Sequence, residues 1–104
     1  MNGYVRVCAV EDLAEDRALS VDVDGRPVCV VRTQGEVLAL LDECSHAEVA
    51  LSDGDIADAT VECWLHGSRF DLRTGKPIGP PAVEAVPVYQ VRVEGDEVYV
   101  AVKE

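Results

Sequence analysis

No stretch of this 104-residue chain keeps a helical period of apolar residues, and none approaches the roughly 20 consecutive apolar residues needed to span a bilayer. A helical fold and a helical membrane anchor are both disfavoured. The amino terminus, Met1-Asn2-Gly3-Tyr4-Val5-Arg6, lacks an apolar segment of signal-peptide length, so a soluble, cytoplasmic protein is expected. Basic residues are scarce. Nine lysines and arginines stand against 20 acidic residues, a net charge of −11, which opposes binding to nucleic acid phosphates or to an anionic membrane. There is no G-x-G-x-x-G, hence no sign of a dinucleotide site, and there are no repeats, low-complexity tracts or linkers. Histidine occurs only twice and cysteine four times. Without secretory features, those cysteines read as metal ligands and buried thiols, not as a disulfide framework.

What is present instead is a succession of short valine-rich runs bounded by Gly, Asp and Pro, which predicts an all-β protein of one domain. Tyr4 to Val10 reads as a first strand, with a turn or single helical turn at Glu11-Asp12-Leu13. Arg17 to Val23 and Arg26 to Thr33 flank Asp24-Gly25, a dipeptide suited to two-residue hairpin turns because both positions tolerate positive φ. Gln34-Gly35 makes a similar turn into Glu36 to Asp42. Val88 to Glu94 and Glu97 to Val102 form a last hairpin across Gly95-Asp96, with Val91, Val93, Val98, Val100 and Val102 as one inward face. Between these blocks, Thr60 to Cys63 and Arg69 to Leu72 read as shorter strands, followed by a turn at Arg73-Thr74-Gly75-Lys76. Cys8 and Cys29, each inside a valine-rich strand, are expected to be small buried hydrophobes. Asp42 and Glu43 are expected to be solvated.

Both histidines lie beside the two remaining cysteines. Cys44-Ser45-His46 and Cys63-Trp64-Leu65-His66 form two arms, each with one thiolate donor and one imidazole donor. Two soft anionic and two neutral ligands can divide between the irons of a [2Fe–2S] unit as Cys₂ and His₂. A zinc finger would pair the cysteines in one arm and the histidines in the other; here each arm mixes them. Tetrahedral Cys₂His₂ zinc nevertheless remains an alternative on donor chemistry alone. With neutral imidazoles, two Fe³⁺, two sulfides and two thiolates sum to zero charge, whereas an all-cysteine cluster carries −2. The neutral site accepts an electron more readily, which puts its potential in a range of about −150 to +300 mV.

The two arms, with the run His66-Gly67-Ser68-Arg69-Phe70-Asp71, closely resemble the Rieske family of iron–sulfur proteins. The resemblance implies the Rieske iron–sulfur fold: an antiparallel β-sandwich base with an inserted cluster-binding subdomain, here about 43–83, and one [2Fe–2S] cluster. It assigns Cys44 and Cys63 to a buried iron and His46 and His66 to the solvent-facing one, where electrons leave. High-potential members carry a further cysteine in each arm, joined as a disulfide, and a tyrosine whose hydroxyl bonds a cysteine sulfur. The matching positions here are Val49, Leu65 and Phe70, so the resemblance implies a potential toward the low end of the range, tempered by Ser68, which matches a serine that donates to a bridging sulfide. Gly79-Pro80-Pro81 matches the family's proline loop over the cluster, although an ordinary rigid connection has the same composition.

The size and motif look like those of the small Rieske ferredoxins, monomeric carriers that take electrons from a flavin-dependent reductase to a terminal oxygenase. Rieske oxygenases react substrate at a separate mononuclear iron with two histidines and a carboxylate, and both histidines here are already committed. A carrier without a catalytic site of its own follows. Alternatives are service to another redox system, either nitrite reductase-like or in iron–sulfur maintenance, a redox-sensing interaction module, or a structural zinc module. The acidity fits a solvated surface, and equally electrostatic steering toward basic docking surfaces on redox partners.

Overall fold

The computed structural model describes residues 3–43, 50–63, 69–78 and 85–101. Ten strands follow in order: β1 (Tyr4–Ala9), β2 (Arg17–Val23), β3 (Arg26–Thr33), β4 (Glu36–Leu41), β5 (Ile56–Ala57), β6 (Thr60–Glu62), β7 (Arg69–Asp71), β8 (Pro77–Ile78), β9 (Val88–Glu94) and β10 (Glu97–Ala101). Single 3₁₀ turns occupy Val10–Asp12 and Leu51–Asp53. The strands form a six-stranded sheet, ordered β1-β10-β9-β4-β3-β2, and a four-stranded sheet, ordered β5-β6-β7-β8. Every registered strand pair is antiparallel.

The larger sheet curls until its edge strands β1 and β2 touch. Its β1-β10-β9 half thereby faces its β4-β3-β2 half across an apolar core of Cys8, Val23, Val28, Val30, Ala39, Val98 and Val100. This is the expected all-β sandwich base. Turn chemistry sets its registers. Asp24 and Gly25 have φ of 53° and 82°, and Gln34 and Gly35 have 52° and 77°, the paired positive values of turns that match the twist of adjoining strands.

Strand β3 explains how the second sheet is placed. Val28, Cys29, Val30 and Val31 are all fully buried, an unbroken apolar run instead of the alternation of a strand with one wet face. Val28 and Val30 point into the sandwich. Cys29 and Val31, with Leu40 of β4, point the other way and pack against Leu51, Val61, Cys63, Phe70, Leu72 and Val86. The small sheet therefore stands on the outer face of β3 and β4. Arg73 adds a polar tie, its guanidinium donating to Glu36 Oε2 at 2.9 Å and to Gln34 Oε1 at 3.2 Å across the β3–β4 turn.

Strands β5 and β8 and the 3₁₀ turn at Leu51–Asp53 are additional elements, too short to carry a period of their own. Two expectations need correction. Val93 is 46% exposed, although Val98 and Val100 are fully buried. Strand β9 meets β4 only at Val88 and Tyr89, so its far half diverges from the sandwich and Val93 borders an open cleft with Val10 and Val37. Asp42 is 5% exposed, not solvated, because its carboxylate has a partner inside the fold. Glu43 is exposed as expected. Val102 lies outside the described residues.

Candidate metal centre

Of the four sequence-assigned ligands, Cys63 is described; Cys44, His46 and His66 lie outside the described residues, as do Val49, Trp64, Leu65, Gly67, Ser68 and Gly79-Pro80-Pro81. The stems that carry those segments are described, and they converge.

The second arm springs from the β6–β7 hairpin. Glu62 pairs with Arg69 and Val61 with Phe70, so residues 63–68 are closed off at their base. The Arg69 guanidinium straddles this stem, donating to Thr60 Oγ1 at 2.8 Å and standing 3.7 Å from the Glu62 carboxylate. Cys63 follows the last residue of β6, is fully buried and is a free thiol. Among the described residues it belongs to an apolar cluster. Val61, Phe70, Leu72 and Leu51 belong to the same cluster, and the Phe70 ring brings no hydroxyl to it.

The first arm leaves the end of β4. The Asp42 backbone N–H donates to the Pro27 carbonyl at 3.0 Å, extending the ladder by one residue. Its carboxylate accepts two bonds from Ser52, one from the backbone N–H to Oδ1 and one from the hydroxyl to Oδ2, both 2.7 Å. Segment 43–51 is thus closed at its base by one residue pair. Two residues beyond Ser52, Gly54 lies so close to β6 that an added Cβ would fall 1.6 Å from the Glu62 carbonyl oxygen. Glu62 in turn donates its N–H to the Asp55 carbonyl at 2.9 Å. The exit of the first arm therefore rests on the residue preceding Cys63.

The segment with the prolines starts from the same place. Strand β8 pairs Ile78 with Arg69 and Pro77 with Phe70, beside the return of the second arm. On the far side, Val86 donates to the Gly75 carbonyl at 2.8 Å and the Pro87 carbonyl accepts from Leu41 at 2.9 Å, next to Asp42. Ser52 and Gly54 carry no sequence signal of this role, and Asp42 reads from sequence as a solvated acid. The available signal was a carboxylate ending the apolar run Leu38-Ala39-Leu40-Leu41, where a solvated acid would have to leave the strand at once.

The other two described cysteines do not compete as ligands. Burial, then the nearby Asp42 charge, pushes the Cys29 thiol far above its ordinary range. Burial, then Asp12, raises that of Cys8. Both stay protonated and inert near neutrality, as expected of buried hydrophobes. Among the described residues, no group of three or more His, Cys, Asp or Glu is arranged to hold a metal.

The chain matches the Rieske [2Fe-2S] domain over residues 3–90. It is 39% identical to the biphenyl dioxygenase ferredoxin subunit of Pseudomonas sp. (strain KKS102), across 93% of this chain and 90% of that one. It superimposes on the ferredoxin of carbazole 1,9a-dioxygenase from Nocardioides aromaticivorans IC177 with a TM-score of 0.93 and 42% identity, covering 96% of this chain and 98% of the other. A chain from a complex of reduced oxygenase and oxidized ferredoxin in carbazole 1,9a-dioxygenase matches with a TM-score of 0.90 and 32% identity, over 97% of this chain and 94% of that one. Mixed Cys/His arms, a sandwich base with the arm stems gathered on one face, and likeness along nearly the whole chain agree: the protein belongs to the Rieske [2Fe-2S] family, as an electron-carrying ferredoxin with one such cluster.

Proposed function

We propose that this ferredoxin passes electrons one at a time from a flavin-dependent reductase to a terminal oxygenase, with Cys44, His46, Cys63 and His66 as the cluster ligands and with no catalytic site of its own. The observation that carries the assignment is Cys63: a buried, unbridged thiol at the end of a closed hairpin, next to Glu62, whose carbonyl packs on Gly54 in the stem of the other arm. Two thiolates and two imidazoles fit a [2Fe–2S] unit in charge and softness. When bound, that cluster supplies reversible uptake of one electron. The chain's own residues set the conditions. Phe70 brings no hydroxyl to the Cys63 side, which favours a potential toward the low end of the family's range, tempered by Ser68. Residues of about 43–83 act as the cluster-binding subdomain of a single domain, working as a monomer in the cytoplasm. Among the described residues, no helix is long and apolar enough to cross a membrane.

The reading is tested on protein purified anaerobically after growth with adequate iron. Two irons per chain and a [2Fe–2S] electron paramagnetic resonance signal on reduction are expected; a colourless protein with one zinc per chain would overturn it. His46→Cys or His66→Cys, where a cluster assembles, lowers the midpoint potential by adding negative charge, and an unchanged potential and spectrum would remove that histidine from the ligand set. Added to a reductase and a terminal oxygenase, the protein is expected to accelerate electron flow between them.

A further inference from the structure

We propose that Asp42 is a positioning residue for the first arm: clamped to Ser52, its carboxylate closes segment 43–51 and sets where that arm presents its donors. The proposal rests on the ligand assignment above and adds a residue two positions before the first ligand. A carboxylate at 5% exposure loses most of its hydration, and it persists in a fold where hydrogen bonds replace the lost water. Among the described residues, Ser52, ten positions away, supplies two such bonds, a backbone N–H on one oxygen and a hydroxyl on the other, each at 2.7 Å. Two bonds to a single partner fix orientation as well as distance.

Neither end of the clamp is free to drift. Asp42 is held to β3 through its own N–H on the Pro27 carbonyl. Ser52 sits inside the 3₁₀ turn Leu51–Asp53, whose continuation has Gly54 donating to the Leu51 carbonyl at 2.9 Å while packing on Glu62. The position of the β4 end is thereby passed to the β6 end, where Cys63 stands. Closing a ten-residue separation at its base also removes freedom that the arm would otherwise keep before ligand binding. The clamp therefore acts on the mutual placement of two arms that are far apart in sequence.

The test compares Asp42→Ala, Asp42→Asn and Ser52→Ala with the wild-type holoprotein, reading the rate of cluster bleaching by an iron chelator and the g values of the reduced cluster. Asp42→Ala is expected to bleach about tenfold faster or more, the scale of lost outer-sphere partners, with displaced g values. Asp42→Asn keeps the shape and an acceptor for the Ser52 N–H and is expected to restore most of the stability. Ser52→Ala, which keeps the backbone bond, falls between. Wild-type bleaching and g values in Asp42→Ala would overturn the proposal, as would an Asp42→Asn variant that bleaches as fast as Asp42→Ala. Should Asp42→Ala fail to fold, wild-type behaviour of Ser52→Ala overturns it equally. Absence of the [2Fe–2S] signal from the wild-type protein would instead sink the ligand assignment.

Discussion

Cys29 and Cys63 share one buried cluster but differ in what the backbone lets them do. Cys29 lies mid-strand in β3, paired with Ser20 on one side and Leu40 on the other, and its thiol faces the Asp42 charge. Cys63 stands just past the end of β6, where the chain is free to turn. The raised Cys29 thiol has a consequence for stability. Above a pH of about 8.5 the unfolded chain loses this proton while the native state keeps it, so the native state binds more protons and stability falls as pH rises. Below that pH the group contributes no pH dependence. Cys29→Ala should remove a slope of up to about 1.4 kcal/mol per pH unit between about pH 9 and 11, measured as the difference between wild-type and variant denaturant unfolding. Identical slopes would mean that the Cys29 thiol is not held neutral.

At the scale of elements, the short strands of the second sheet matter less for their own stability than for what they hold. Strand β6 has three residues and β5 two, yet β5, Gly54 and β6 form the brace between the arms. Gly54 has φ of −94°, so its requirement is space and not an unusual backbone. Gly54→Ala would drive a methyl into the Glu62 carbonyl, a clash relieved only by moving β6. The expected cost is about 1–3 kcal/mol in denaturant unfolding, as for other overpacked sites, together with lower iron content per chain. Wild-type stability and iron content in the variant would show that the brace yields without consequence. The turn between β5 and β6 adds local strain, with Asp58 at φ 52° and Ala59 at 59°, the second a residue that visits this region only at a cost.

Over the whole molecule, two apolar cores share one wall. Strands β3 and β4 present Val28, Val30 and Ala39 to the sandwich and Cys29, Val31 and Leu40 to the small sheet, so the base and the arm stems are joined through one shared wall. The chain as a whole carries a net charge of −11. Under the proposed function, encounter with a redox partner that presents a basic docking surface is accelerated by that charge and screened by salt. The second-order rate of reduction by the proposed reductase is expected to fall as ionic strength rises from about 0.01 M to 0.3 M, over which the Debye length shrinks severalfold. A flat salt profile in stopped-flow reduction would assign the acidity to solubility alone.

The cluster type, the hairpin turns and the long strands were legible in the sequence because each follows from a local property. Mixed Cys/His arms specify their chemistry by composition and spacing, and Asp24-Gly25 specifies a turn through allowed backbone angles. The unbroken run Val28-Cys29-Val30-Val31 carried the further signal of a strand covered on both faces, although not of what covers it. Three features depended on distant partners. Val93 is exposed because β9 diverges from β4 beyond Tyr89, a matter of sheet curvature. Strands of two residues exist only by pairing with neighbours already in place. Asp42 looks like a solvated acid until Ser52 folds back onto it. The sequence by itself determined which cluster its donors suit, since donor chemistry belongs to side chains. Only the tertiary structure decided how the two arms are braced against each other, since that brace is made of close approaches between backbones that no local pattern encodes.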